Sequence, residues 1–130
     1  VREDLDRIGM SEYRSPSGAV PHNKRPGLVK EADVVVEQIL AGSYGVSAVE
    51  GMASGRLVIG YVGDEVRVTM PEDPPILDTT PEDFLSTMIE VINKRADYTD
   101  LAANGPGYVE RIHSGHMSAQ VLAPFLGLGT

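Results

Sequence analysis

The fold is decided by the stretch Ala32–Val62, which reads ADVVVEQILAGSYGVSAVEGMASGRLVIGYV. Its pattern predicts a strand, a glycine-containing loop, a short helix and a second strand, the unit that builds nucleotide sites in α/β proteins. Val34, Val35 and Val36 form an unbroken β-branched run, as expected where helices cover both faces of a parallel strand. This run therefore predicts a central strand.

A polar loop of small residues follows the valine run, and it contains Glu37, Gln38, Gly42, Ser43, Tyr44 and Gly45. In open α/β sheets, ligands bind outside the carboxyl ends of the strands, so this loop is the predicted ligand site. Helical spacing then begins, on an apolar face made by Val46, Val49, Met52 and Ala53. Gly55 is predicted to end this helix as a left-handed cap, and a second buried strand follows at 57–62.

The rest of the chain is predicted to alternate helices with short strands. The predicted strands are 11–14 and 76–77, and the predicted helices are 1–8, a short one around 28–32, 80–95, 97–112 with an interruption at 104–107, and 117–126. For 64–70 the pattern fits a strand or a short amphipathic helix, and the helix is favoured. This order predicts an α/β fold: a Rossmann-like, three-layer αβα domain with a mostly parallel sheet of about four strands. We expect residues 1–130 to form one such domain and to be a fragment of a longer two-domain protein.

The segment TTPEDFL at Thr79–Leu85 predicts the start of the helix at 80–95. Thr80 can cap the helix, Pro81 suits its first position, and the acidic residues that follow favour its positive end. The apolar spacing predicts a buried face made by Phe84, Leu85, Met88, Ile89 and Ile92.

Composition limits the classes of function. A 42% hydrophobic content suits one globular domain, and a net charge of -8 with scattered Lys and Arg argues against nucleic-acid binding. The absence of Cys excludes disulfides and thiol nucleophiles. No apolar run reaches the roughly 18 residues of a transmembrane helix, and no signal-peptide pattern is visible. We expect a cytoplasmic protein.

Glu50 is the residue that the pattern singles out, because it lies about one turn past the start of the predicted helix. Carboxylates in such units accept hydrogen bonds from ribose hydroxyls, and free amides at the helix start can hold a phosphate or carbonyl oxygen. Glu50 could equally be a solvated helix residue or pair with Arg56. His22 could contact a base or substrate from its loop, or lie on the surface.

Several common site motifs are absent from the sequence. There is no GxGxxG, GxxxxGK[ST] or GxSxG pattern, which argues against dinucleotide, P-loop and serine-hydrolase chemistry. His113 and His116 lack partnered carboxylates nearby, so no metal site is expected. Gly51 and Gly55 are interpreted as packing and turn glycines.

The segment ADVVVEQILAGSYGVSAVEGMASGRLVIGYVG resembles the donor-binding segment in the carboxyl-terminal half of GT-B glycosyltransferases. It is most similar to the large retaining family with the pattern E-G-F-G followed by E-A-M-A-x-G-x-P-V, in which two glutamates stand in an E-x7-E arrangement. YGVSAVEGMASGRLVI aligns with this pattern without gaps, and GYVERIHS is similar to the family's usual ending. The resemblance covers most of the chain.

The resemblance implies that Glu50 takes the place of the second motif glutamate, which binds the ribose, and that Gly45 and Val46 offer backbone contacts to the donor. Gly42 stands where the first glutamate would be, and Glu37 or Gln38 are the candidates for reaching the same space. The candidate donor-binding residues are therefore Glu50, Gly45, Val46, Tyr44, Ser43, Gly42, Gln38 and His22.

The function that the resemblance implies is transfer of a sugar from a nucleoside diphosphate sugar to an acceptor, without a catalytic metal or a separate cofactor. The expected partners are the sugar nucleotide and the acceptor domain of the same parent chain, and the fragment alone is expected to be inactive because positioning needs both halves. Two alternatives stay open: a non-catalytic α/β binding or interaction module on the same scaffold, and a GT-B-like sugar-nucleotide epimerase.

Overall fold

A small parallel sheet lies at the centre of the protein. The computed structural model describes residues 20–128, in which the strands are β1 (Val34–Val36), β2 (Leu57–Gly60) and β3 (Ile76–Asp78). Both strand pairs are parallel, as the sequence predicts. The described sheet has three strands instead of about four. The helix predicted at 1–8 and the strand predicted at 11–14 lie outside the described residues.

The middle strand of the described sheet is β2, and the valine run forms β1 at its edge. Within residues 20–128, the expectation that the valine run is the central strand is therefore wrong. The strand order is β1-β2-β3, every residue of β2 is buried, and Val36 at the end of β1 is 41% exposed. An unbroken valine run indicates a parallel strand, but its place in the sheet depends on which other strands pair with it.

The helices of the described residues largely follow the predicted pattern. They are α1 (Arg25–Glu31), α2 (Val46–Ala53), α3 (Asp64–Arg67), α4 (Phe84–Asn93), α5 (Thr99–Ala103), α6 (Gly105–His113) and α7 (His116–Leu122), with 3-10 turns at His22–Lys24, Arg95–Tyr98 and Ala123–Leu126. The break at Asn104 and the left-handed Gly55 (φ +67°) are confirmed.

The start of α4 differs from the prediction. The Thr80 hydroxyl accepts the Asp83 N–H at 3.2 Å, as a capping residue does, but regular helix begins only at Phe84. The buried face of α4 is Phe84, Met88 and Val91, whereas Ile89 and Ile92 are 40% and 41% exposed. The sheet covers a narrower stripe of the helix than its apolar residues suggest.

Alternate residues of β2 point to opposite faces of the sheet, and the core therefore has two layers. Leu57 and Ile59 pack on one side of the sheet with the buried face of α4. Val58 packs on the other side with Met52 of α2 and Tyr108 of α6. Because neighbouring strand residues point to opposite faces, this one strand supplies both cores. Helices therefore cover both faces of the sheet.

Two glycines let α2 approach its neighbours closely. A Cβ on Gly51 would lie 2.9 Å from Val58 Cγ2 and 3.2 Å from Val35 Cγ2, so this helix rests directly on the sheet. A Cβ on Gly105 would lie 2.4 Å from the Met52 carbonyl oxygen, so α6 rests directly on α2. The interpretation of Gly51 as a packing glycine is confirmed.

The face of α2 that packs on the sheet is the small one. Ala48, Gly51 and Met52 are its buried residues, whereas Val46, expected on the apolar face, is 62% exposed. The small side chains permit a shorter distance between helix and sheet than valines would, and they leave Val46 at the surface beside the loop.

Replacing Gly105 with Ala is expected to lower the free energy of unfolding by about 2 kcal/mol, because the added methyl group meets the backbone of α2, which has no room to move. Gly107→Ala is the matched control, since its Cβ meets the flexible end of Arg111 and it lies on the exposed side of the same helix. Urea denaturation of both variants measures the difference. Equal stability of the two variants would contradict this account of the helix contact.

Candidate functional site

The candidate site lies at the carboxyl edge of the sheet, where two loops meet. We call residues 37–45 the β1–α2 loop and residues 61–63 the β2–α3 loop. The Tyr61 N–H donates to the Gln38 carbonyl at 3.4 Å, and the Gly63 N–H donates to the Gly42 carbonyl at 2.9 Å. These two backbone hydrogen bonds hold the predicted ligand loop against the end of the central strand.

Gly42, in the β1–α2 loop, has a left-handed backbone. Its φ of +66° lies in a region that non-glycine residues adopt only with strain. A side chain at this position would therefore strain the loop or change its path.

The start of α2 faces the β1–α2 loop. Gly45 is the N-cap residue, with an extended backbone (φ −109°, ψ −166°), and within residues 20–128 no side chain hydrogen-bonds to the first helical N–H groups. Those groups have no acceptor within the helix and are available to a ligand oxygen. Ser43 and Val46, on either side, are exposed.

Glu37 lies beside this helix start. Its Oε1 is 3.4 Å from the position that a Cβ on Gly45 would occupy, and its Cβ is 3.6 Å from the corresponding position on Gly60. Its Oε2 is buried and has no hydrogen-bond partner in the described part of the chain. The sequence indicated Glu37 and Gln38 as the residues that could reach the space of the missing first glutamate. In the structure, Glu37 lies beside the start of α2.

Glu50 occupies the second turn of α2 and is half-buried. Within residues 20–128 no ion pair joins it to Arg56, whose Nη2 donates instead to the Lys30 carbonyl at 2.6 Å. The alternative of a Glu50–Arg56 pair is therefore wrong. That Glu50 binds a ligand stays a prediction, and so does the alternative that it is a solvated helix residue.

Tyr44 is held by two side chains of α6. Its hydroxyl lies 2.9 Å from the Tyr108 hydroxyl and 2.9 Å from His113 Nε2. The Tyr44 and His113 rings also meet edge-on, with centroids 5.7 Å apart. Because Tyr108 is completely buried and α6 rests on α2, this network connects the β1–α2 loop to the core.

Burial sets the protonation states in this network. It raises the pKa values of the Tyr44 and Tyr108 hydroxyls. It lowers the pKa of His113 below its usual value of 6.5. At neutral pH all three groups are therefore neutral, so the imidazole Nε2 can accept the Tyr44 O–H while the Tyr44 oxygen accepts the Tyr108 O–H.

Sequence reasoning did not identify this network. Tyr44 is separated from Tyr108 by 64 residues and from His113 by 69, and no local pattern indicates which side chains meet over that distance. The sequence singles out His113 only as a candidate metal ligand. Within the described residues, no group of three His, Cys, Asp or Glu side chains is arranged to hold a metal ion.

Arg67 provides positive charge at this edge of the sheet, but aspartates already neutralise it. Its guanidinium donates to Asp73 at 2.9 Å and to Asp78, and its Nε donates to the Val62 carbonyl at 3.1 Å. The Val62 N–H in turn donates to Asp78 Oδ1 at 3.1 Å. These bonds fix the end of β2 to the end of β3, and the two aspartates offset the charge of Arg67.

Two cavities lie away from the β1–α2 loop. One of about 370 Å³ is at the amino edge of the sheet, lined by Arg56, Arg95 and Asp33 among others, and Arg95 is paired with Asp33 there at 2.8 Å. The second, of about 600 Å³, lies between Met70 and α7. His22 is in the 3-10 turn before α1, and its contact with a ligand stays a prediction.

Compared with protein-family models, with curated proteins and with solved structures, the chain matches none of them. Function is therefore inferred from the residues and geometry of the site. Across residues 20–128, none of the helices has the length and apolar character needed to cross a bilayer.

Lowering the pH from about 7.5 to 5 is expected to reduce stability through His113. The pKa of His113 is lower in the folded state than the value of 6.5 in the unfolded chain. The contribution of His113 to the free energy of unfolding is therefore complete above pH 6.5 and is lost as the pH falls through the pKa of the folded state. His113→Gln should flatten the pH dependence of the melting temperature in this range. His116→Gln is the control, because His116 lies in α7 and makes no hydrogen bond to Tyr44 or Tyr108 in the described part of the chain. An identical pH profile for His113→Gln and the unaltered protein would contradict the network.

Proposed function

We propose that this chain is the donor-binding part of a glycosyltransferase, a Rossmann-like half of a GT-B enzyme that binds a nucleoside diphosphate sugar at the β1–α2 loop. The observation that carries the proposal is the placement of Glu50. It is a half-buried carboxylate with no ion pair in the described residues, and it lies one turn inside a helix whose uncapped start faces the carboxyl edge of a parallel sheet. The sequence resemblance assigns the ribose contact to this residue.

In the proposed complex, the ribose hydroxyls donate to Glu50, and ligand oxygens accept hydrogen bonds from the N–H groups at the start of α2. Tyr108 and His113 hold Tyr44 in place, so the loop does not have to be ordered when the ligand binds. Gln38 and Gly42 contribute through their carbonyls, which fix the loop to the end of β2.

The reaction we propose for the parent protein breaks the bond between the anomeric carbon and the diphosphate oxygen while an acceptor hydroxyl attacks and loses its proton. Positioning of the two substrates and stabilisation of the departing diphosphate supply most of the catalysis in such a transfer. The described residues bind and orient the donor, and the acceptor domain of the parent completes the site.

A non-catalytic binding module is the second candidate, and Gly42 is the observation that favours it. A left-handed glycine in place of a carboxylate would remove one contact to the donor sugar while leaving the scaffold intact. Release of nucleoside diphosphate by the parent protein, measured over several sugar nucleotides, distinguishes the two, because a binding module would release none.

Glu50→Gln is expected to weaken nucleoside diphosphate binding about tenfold or more, since a hydrogen bond to a charged acceptor contributes about 1.5–3 kcal/mol. Titration calorimetry with UDP, GDP and ADP measures the change, and the melting temperature should stay close to that of the unaltered chain. Glu65→Gln is the matched control, because Glu65 is exposed on α3. Equal affinity of Glu50→Gln and the unaltered chain for the nucleotide that binds would disprove the ribose contact.

A further inference from the structure

Helix α7 and the 3-10 turn that follows it contain no buried residue within the described part of the chain. Five large apolar residues in this segment are each exposed over more than half of their surface: Val121, Leu122, Phe125, Leu126 and Leu128. We call these five residues the α7 face. Clustered apolar residues that are this exposed mark interaction surfaces, whereas single ones do not.

The α7 face is large for a chain of this size. The exposed fractions of its residues correspond to roughly 600 Å², on a scale in which an aromatic side chain presents about 150–250 Å². The largest apolar patch on a typical monomer is about 300–600 Å², and each partner in a specific complex buries about 800 Å². The face therefore supplies most of the area that a specific interface needs.

An apolar groove lies beside the α7 face. It is the cavity of about 600 Å³ between Met70 and α7, whose lining includes Met117, Val121 and Leu122 and contains no charged residue. Phe125 is 84% exposed and follows Val121 by four residues, so the helical spacing places its ring on the same side of the segment, beyond the groove. One surface thus carries both a groove and a projecting aromatic ring.

The charges of the chain favour a second copy as the partner of this surface. Two copies with a net charge of -8 repel each other, so an interface between them is favoured where the surface is uncharged. No Asp, Glu, Lys or Arg follows Arg111 in the sequence, and Arg111 itself pairs with Glu72 at 2.8 Å. A charged partner would find no opposite charge on the α7 face, whereas an identical apolar face complements it.

We propose that the α7 face joins two copies of this chain in a two-fold dimer, in which Phe125 of each copy enters the groove beside α7 of the other. A two-fold interface uses the same surface on both copies, so that surface must be complementary to itself. A groove and a projecting ring side by side meet this requirement. No residue of the β1–α2 loop lines the groove, and the inference does not depend on the proposed function.

Analytical ultracentrifugation of the unaltered chain, from about 0.1 to 200 μM, measures the association. We expect the mass of two chains at the highest concentration and dissociation on dilution. Phe125→Ser should raise the Kd of the dimer about a hundredfold, because the substitution removes a buried ring from both copies at once. Leu40→Ser is the matched control, since Leu40 is 87% exposed but lies in the β1–α2 loop, and it should leave the Kd unchanged.

A second variant tests the groove. Val121→Asp places a charge in its lining and should also prevent dimer formation. Phe125→Ser keeps the groove and Val121→Asp keeps the ring, so a mixture of the two restores one contact of ring with groove. The mixture should associate about tenfold more tightly than either variant alone. Both positions are exposed, and the melting temperatures should match that of the unaltered chain.

Three results would overturn the inference. A mass of one chain at every concentration would leave the α7 face to another part of the parent protein. A dimer that Phe125→Ser does not weaken would mean that the copies meet at a different surface. A mixture of the two variants that associates no better than its components would rule out the exchange of ring and groove.

Discussion

The close approach of α2 to the sheet on one side and to α6 on the other is the constraint on which the rest of the structure depends. Gly51 and Gly105 make it possible, because a Cβ at either position would collide with the neighbouring element. The contact with the sheet fixes where α2 begins, and therefore where the β1–α2 loop ends. The contact with α6 brings Tyr108 and His113 within hydrogen-bonding distance of Tyr44. Both close contacts of α2 therefore depend on a glycine.

The site that results has an unusual distribution of charge for a proposed nucleotide site. Its positive features are the N–H groups at the start of α2 and Arg67, and each lies beside carboxylates, Glu37 in the first case and Asp73 and Asp78 in the second. Such an arrangement favours hydroxyl groups over free anions close to the loop.

Local patterns in the sequence predicted most of the elements. The valine run, the left-handed Gly55 and the break at Asn104 each depend on a few neighbouring residues, and all three are found. The position of β1 in the sheet was not predictable, because strand order is decided by partners elsewhere in the chain.

The sequence could indicate where a candidate site would lie, but not how its side chains are arranged. The rule that ligands bind at the carboxyl ends of strands points to the β1–α2 loop, and the helical spacing points to Glu50 in α2. Ligand binding at either place stays a prediction. The left-handed Gly42 accepts a hydrogen bond from the Gly63 N–H, and Glu37 lies beside the start of α2. Both features involve other elements of the fold, so neither is visible in a local pattern. The partners of Tyr44 depend in the same way on the packing of α6.

Binding of a sugar nucleotide at the carboxyl edge of the sheet would change the backbone amide chemical shifts of that edge, and NMR titration of the chain with UDP-glucose, GDP-mannose and ADP-glucose measures this change. For the ligand that binds, we expect the largest shifts on residues 37–48 and 61–63. Shifts concentrated around Arg56 and Arg95, at the amino edge, or no shift with any of the three ligands, would contradict it.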